Sequence, residues 1–192
     1  MSSTELIKQL RDETGVSIMQ CKKALEESGQ DIEQAKIALR KISAQISAKK
    51  SDRELGSGVV QAYIHAGNSV AGVVVLACET DFVAKNEEFV KVAYDIAMHV
   101  AAIAPEFLSR DEVTEDATSA AQKLFEEEAS DKPEEMREKI IEGKMNSFLK
   151  EKVLLEQPFV KNGDITVQGL LDEATQKFGE RIEISEISRF AV

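Results

Sequence analysis

The chain has 192 residues, of which 43% are hydrophobic and 31% are charged, as in an ordinary globular protein. Its formal net charge is −11, and because a field of this sign repels phosphate backbones, we expect no direct contact with nucleic acid. The apolar stretches are too short and interrupted for a transmembrane helix, and no basic segment leads into an apolar run at the N-terminus. We therefore expect a cytoplasmic protein without a membrane partner.

Residues 1–54 predict a compact domain of three short helices. Apolar residues recur at helical spacing from residue 4 to about residue 46. Gly15 and Gly29 are typical of helix C-termini. Ser17 with Gln20 forms a predicted capping box, and Asp31 is a predicted N-cap. The polar segment 43–57 indicates a helix tail that fades into a linker, so we place a domain boundary between residues 54 and 55.

The remaining residues, 55–192, predict an α+β domain. Segments 59–65 and 70–77 are rich in β-branched residues and flank a short turn, which is typical of a β-hairpin. A third strand is predicted at residues 182–187, where apolar and polar residues alternate. Helical patterns occupy the sequence between these strands, at residues 86–104, 115–130, 133–156 and 167–178. The expected core is a small antiparallel sheet packed with helices, of which the second and third resemble a helical hairpin.

No motif for catalysis or cofactor binding is found in the sequence. A phosphate-binding loop needs closely spaced glycines, and neither GxxxxGK[ST] nor GxGxxG occurs. Cys21 and Cys78 lie far apart with no CxxC partner, so we expect two buried free thiols and neither a disulfide nor a zinc site. The acidic runs at residues 126–135 are typical of a solvated helix face. We expect no metal, no cofactor and no enzymatic activity.

One short segment, residues 79–85, is more than a simple connection. It follows the second strand and precedes a long helix, a position in which a rigid scaffold presents side chains to solvent. Phe82 in this position has two explanations. Either Phe82 or Val83 folds back on its own helix as a hydrophobic staple, or Phe82 enters the pocket of a partner protein. The residues alone leave both explanations open.

Two sequence motifs stand out, one in each predicted domain. The first consists of residues 10–15 (LRDETG) and 21–25 (CKKAL), and the second of residues 80–86 (TDFVAKN). Both closely resemble the signatures of the elongation factor Ts family, whose first signature lies on a ubiquitin-associated-like three-helix domain. Further similarity, at residues 97–102, 142–145, 157–161 and 189–190, extends the resemblance over nearly the whole chain. Longer members carry two copies of the core subdomain, so this chain resembles the short form.

The resemblance implies a guanine nucleotide exchange factor that binds elongation factor Tu and releases its GDP. Part of the chain would enter the nucleotide-binding domain near its magnesium ion and displace the residues that support the ion, after which GTP refills the site. The residues implied to act there are Thr80, Asp81, Phe82 and Val83. Further implied contacts are Arg11, Ile18, Met19 and His99. The alternatives are that Met19 packs inside its own domain and that His99 is a core residue.

The short form also implies a homodimer. If two core subdomains are needed to contact elongation factor Tu, a chain with one copy supplies both by pairing with itself, and a two-fold dimer is the commonest arrangement. The predicted interface is an exposed strand edge or the apolar face near Ile184 and Ile187. A function of another class stays open, because a ubiquitin-associated-like module on an α+β domain could also serve as an adaptor or nascent-chain-binding protein without exchange activity.

Overall fold

The structure is a computed structural model that describes residues 3–192. Its helices are α1 (Ser3–Thr14), α2 (Ile18–Glu27), α3 (Ile32–Lys49), α4 (Asp81–Ala84), α5 (Glu87–Ile103), α6 (Glu115–Glu128), α7 (Glu134–Lys152) and α8 (Val167–Phe178). Its strands are β1 (Ser57–Ile64), β2 (Val70–Cys78), β3 (Pro158–Phe159), β4 (Asn162–Thr166) and β5 (Ile182–Ala191). Short 3-10 turns cover Arg110–Glu112 and Leu154–Glu156. These elements confirm the predicted α+β class.

Helices α1 to α3 enclose a small apolar core of their own. Its buried side chains are Leu10, Val16, Cys21, Ala24, Leu25, Ala35 and Leu39. The predicted caps hold the helix ends, since the Ser17 hydroxyl accepts the N–H of Gln20 at 3.4 Å and the Asp31 carboxylate accepts the N–H of Gln34 at 3.0 Å. The predicted three-helix arrangement of this segment is confirmed.

Strands β1, β2 and β5 form an antiparallel sheet with β2 in the centre. The hairpin of β1 and β2 is the one that the sequence predicts. Helix α5 packs across one face of this sheet and approaches it closely at Gly72, where a Cβ atom would lie 2.2 Å from the carbonyl oxygen of Ala97. The main core forms in this layer and beneath α8, with Phe89, Ile96 and other fully buried side chains at its centre. Helix α4 lies at the edge of the same layer.

The opposite face of the sheet is apolar and exposed. Val60 and Ile64 of β1 are each 62% exposed, and Phe190 of β5 reaches the same value. The strand register places Val75 beside Val60 on this face. The dimer face predicted near Ile184 and Ile187 was wrong, because Ile184 is 3% exposed and Ile187 packs against the core from the covered side. The other predicted interface, an exposed strand edge, stays a prediction.

Helix α3 is longer than the sequence pattern indicates. It continues to Lys49 instead of fading near residue 46. The Ser43 hydroxyl is buried between α3 and α8, within hydrogen-bonding distance of the Leu39 carbonyl (3.0 Å) and of the Gln176 side chain. The polar end of α3 therefore contacts a second helix, α8. The spacing of apolar residues does not predict this contact. The boundary between residues 54 and 55 falls between α3 and β1 and stays a prediction.

The sequence pattern also failed at three other places. Helix α7 ends at Lys152, four residues before the predicted end, and a 3-10 turn follows. Strands β3 and β4 form a second, two-stranded sheet that was not predicted, because Ile165 is the single large apolar residue of β4. In β5, Glu186 pairs with Val75 and Ile184 pairs with Leu76, which are adjacent residues of β2. Ser185 is therefore an extra residue, and this bulge interrupts the predicted alternation.

Candidate functional site

Residues 79–83, which we call the finger loop, run from the end of β2 into the single turn of α4. Val83 takes the inward position of this turn and is 4% exposed in the main core. Asp81 and Phe82 consequently lie on the outer side of the same turn. The Cys78 thiol donates to the Thr80 carbonyl at 3.2 Å, which ties the loop to the end of the strand.

Phe82 is 81% exposed, although burial of a phenyl side chain is worth roughly 1.5–3 kcal/mol. The other large exposed aromatic side chains are less open, with Phe190 at 62% and Tyr94 at 39%. Val83 packs inward as the staple explanation requires, whereas Phe82 does not fold back on its helix. The ring of Phe82 is therefore not part of a staple, and its contact with a partner stays a prediction.

Asp81 adds a negative charge beside the exposed ring. Its Oδ2 accepts a hydrogen bond from Lys85 Nζ at 2.6 Å, and both side chains are largely exposed. The hydrogen bond from the Lys85 ammonium lowers the pKa of Asp81 below its usual value, and the carboxylate is ionised at neutral pH. Thr80 precedes this turn as its N-cap, but its hydroxyl is bound to Glu180 instead of to the helix.

The predicted contacts of the N-terminal segment lie on a separate surface. Ile18 and Met19 form the first turn of α2 and are 56% and 81% exposed, so Met19 does not pack inside its own domain. Arg11 is exposed on α1 and lines a cleft of about 480 Å³ between α1 and helices α5 and α8. These three residues are thus available to a partner, and their role stays a prediction.

His99 lies in the protein interior and not at a surface where it could contact a partner directly. It is 0% exposed in α5, with Nε2 2.8 Å from Gln157 Oε1 and Nδ1 accepting the N–H of Val160 at 3.1 Å. Both ring nitrogens are therefore used inside the protein, with the proton assigned to Nε2 by these bonds. The direct contact predicted for His99 is not supported by this burial, and the alternative of a core residue is favoured.

We expect His99 to make stability depend on pH. Burial lowers the pKa of His99, whereas the unfolded side chain takes up a proton near pH 6.5. The unfolded state then binds more protons below that pH, so the free energy of unfolding falls by up to about 1.4 kcal/mol from pH 7.5 to 5.5. Urea unfolding at both pH values measures this. His99→Gln should remove the dependence and His65→Gln, at an exposed position, should keep it; an equal slope in both variants would contradict the assignment.

The described residues, 3–192, provide no cluster of three or more histidine, cysteine or carboxylate side chains that could hold a metal ion. Cys21 and Cys78 are buried free thiols, as predicted, and burial raises the pKa of both. A thiol with a raised pKa is a poor nucleophile. Among the helices of the same described residues, none is long and apolar enough to cross a membrane.

Comparison with known proteins agrees with the resemblance of the motifs. The family model described as Elongation factor TS matches residues 3–192. Elongation factor Ts of Thermosipho melanesiensis is 43% identical over 194 aligned residues, which cover 100% of this chain and 99% of that protein. The proteins of the same name from Desulforamulus reducens and Carboxydothermus hydrogenoformans are each 44% identical, and the match covers 88% of either relative. With a family match along its whole described length, the chain belongs to the elongation factor Ts family of translation elongation factors.

Proposed function

We propose that this chain is a guanine nucleotide exchange factor that binds elongation factor Tu and accelerates release of its GDP. The observation that supports this most is the finger loop, in which Phe82 is 81% exposed and Asp81 is ionised while Val83 anchors the turn in the core. The protein acts in the cytoplasm, without a membrane partner or direct nucleic-acid contact. Its action is to change a binding equilibrium, so it is not an enzyme in the sense of a catalytic group acting on a bond.

The proposed mechanism requires only differential binding. A G protein holds GDP through contacts to the phosphates and through a magnesium ion. The ring of Phe82 enters the nucleotide-binding domain near that ion, and Asp81 accompanies it, so the residues that support the ion are displaced. Burial of the phenyl group contributes roughly 1.5–3 kcal/mol that is gained only when the site is open. By thermodynamic reciprocity the affinity for GDP then falls by the same factor, and GTP refills the emptied site.

A second contact through the N-terminal domain strengthens this binding. The exposed pair Ile18 and Met19 supplies apolar area, and Arg11 supplies a charge for the same partner. Once one of the two linked surfaces has bound, the other is held at a high effective concentration near the partner. The finger loop therefore need not bind tightly by itself. His99 acts indirectly, because it holds the backbone of Val160, whose side chain is 42% exposed. We propose residues 1–54 and 55–192 as the two domains that carry these surfaces.

The exchange proposal predicts that GDP and this protein weaken the binding of each other. Titration of elongation factor Tu with the chain should give a dissociation constant at least tenfold lower without nucleotide than with saturating GDP, a difference of about 1.4 kcal/mol. Magnesium at a fixed concentration and GTP in a parallel titration serve as controls. An adaptor or nascent-chain-binding protein would bind equally with and without GDP, or not at all, and either result would contradict the proposal.

We also propose that the chain acts as a homodimer joined through the exposed face of the sheet. Val60 and Ile64 are each 62% exposed on this face, and an exposed apolar area of neighbouring side chains is typical of an interaction surface. A two-fold axis through the face would place two copies of the same strands against each other, as one sheet packs on another. Pairing supplies two core subdomains from a chain that has one.

Substitution on this face should dissociate the dimer. Val60→Lys places a charge in the proposed interface, so we expect a molecular mass near 21 kDa in light scattering, against about twice that value for the unchanged protein. Met136→Lys introduces the same charge on helix α7, where Met136 is 55% exposed, and should leave the mass of the dimer unchanged. A mass of one chain for the unchanged protein at micromolar concentration would refute the dimer.

A further inference from the structure

Within residues 3–192, the side chains of Asp81 and Phe82 make no contact with the core of the protein that would fix their direction. Asp81 is bonded to Lys85 four residues further on, and Phe82 is 81% exposed. Helix α4 has 4 residues, and a helix of one turn is not stable by itself. Val83 anchors the inner side of this turn, and the backbone that precedes Asp81 and Phe82, at residues 79 and 80, sets the direction in which the turn leaves the strand.

Glu180 holds this backbone from the turn between α8 and β5. Its Oε2 accepts the Thr80 N–H at 3.0 Å and its Oε1 accepts the Thr80 hydroxyl at 2.6 Å. Hydrogen bonds to a carboxylate are stronger than those between neutral groups. Thr80 is the N-cap of α4 and makes no capping bond with its side chain, so both of its polar donors are committed to Glu180. Glu180 itself is half-buried and follows Gly179, which ends α8 with a φ of 75°.

Glu79 makes the reciprocal connection. Its Oε1 accepts the backbone N–H of Arg181 at 2.6 Å and a hydrogen bond from Arg53 Nη1 at 3.1 Å. The last regular pair of β2 and β5 is Cys78 with Ile182. Beyond this pair, two carboxylates bridge the strand ends by hydrogen bonds. Glu79 accepts from Arg181, and Glu180 accepts from Thr80. Side chains thus continue the strand pairing to the base of the finger loop.

We propose that Glu180 is a positioning residue for nucleotide exchange, which holds Thr80 and thereby fixes the direction in which Asp81 and Phe82 meet the partner. This inference rests on the proposed exchange function. Glu180 acts through Thr80 and does not itself touch the partner. A finger loop that is already ordered loses less conformational entropy on binding and places its ring more accurately than a mobile one.

The first test uses the free protein and needs no partner. The chain contains no tryptophan, so Phe82→Trp gives a single fluorescent reporter on the finger loop. Adding Glu180→Ala should lower the anisotropy of this indole, and Glu180→Gln, which keeps one acceptor oxygen, should lower it less. Glu138→Ala on the exposed side of α7 removes the same charge and should leave the anisotropy unchanged. An anisotropy that does not respond to either substitution of Glu180 would overturn the inference.

The second test is a double-mutant cycle in an exchange assay. Glu180→Ala should slow GDP release by roughly fivefold, and Phe82→Ala should then cost about twofold in its presence instead of about tenfold alone. If the two substitutions slow GDP release independently, so that their factors multiply in the double variant, the positioning role would be overturned. Glu180→Gln replaces Glu180→Ala in both tests if the latter has a lowered thermal midpoint. If the unchanged protein does not accelerate GDP release, the proposed function fails, and the anisotropy alone then decides whether Glu180 orders the loop.

Discussion

Phe82→Ala is expected to slow the release of GDP from elongation factor Tu at least tenfold, while the protein stays folded. The exchange effect follows because the substitution removes the apolar surface that is proposed to be buried only in the open state, and tenfold corresponds to about 1.4 kcal/mol. The fold should survive because Phe82 is 81% exposed and Val83 provides the anchor of the turn. Release of a fluorescent GDP after addition of catalytic amounts of each variant measures the effect.

A matched truncation separates this effect from a general loss of apolar surface. Met136→Ala removes an exposed side chain (55%) from α7 and should change neither exchange nor stability. The free energy of unfolding of Phe82→Ala should lie within about 0.5 kcal/mol of the unchanged protein. If Phe82→Ala unfolds the protein, the ring is a structural staple; if it releases GDP as fast as the unchanged protein, the finger loop is not the element that opens the site.

Gly72→Ala is expected to cause the largest loss of stability among single-methyl additions to the sheet. A Cβ atom at this position would lie 2.2 Å from the Ala97 carbonyl oxygen and 2.8 Å from the Ala101 nitrogen. Both are backbone atoms of α5, so the whole helix must move away from β2. We expect a cost of about 3 kcal/mol in the free energy of unfolding, measured by urea denaturation. Because only residues 84–86 separate the finger loop from α5, exchange should also slow.

The same substitution at Gly143 provides the control, with the opposite sign. Gly143 lies in the exposed part of α7, and no atom comes within 4 Å of the position that its Cβ would occupy. Alanine favours the helix over glycine by up to about 1 kcal/mol, so Gly143→Ala should stabilise the protein. Equal effects of the two substitutions would mean that α5 does not approach β2 as closely as described.

Much of the fold was predictable because local signals and tertiary packing agree. Ser17 and Asp31 cap helices in the sequence pattern and in the structure, and the hairpin of β1 and β2 lies where its β-branched residues predicted it. The failures occur where a local pattern is weak or is overridden by tertiary contacts. Strand β4 has a single large apolar residue, and the end of α3 is polar yet packs on α8.

The finger loop shows what sequence alone leaves undecided. Its position between a strand and a helix predicted exposure of some side chain, but a single turn has one inward position, and only the structure assigns it to Val83 instead of Phe82. His99 shows the converse, since its motif suggested a contact and its two hydrogen bonds lie inside the core. The role of Glu180 had no signal in the sequence, because it depends on a contact between residues 100 positions apart.

The measurement that tests the central claim most directly is the rate of GDP release from elongation factor Tu in the presence of catalytic amounts of this protein. Elongation factor Tu loaded with a fluorescent GDP is mixed with excess unlabelled GDP, and the loss of signal is followed with and without the chain. We predict release at least tenfold faster than the spontaneous rate, with one chain acting on many molecules of elongation factor Tu. An unchanged rate, at concentrations at which the two proteins form a complex, would contradict the claim.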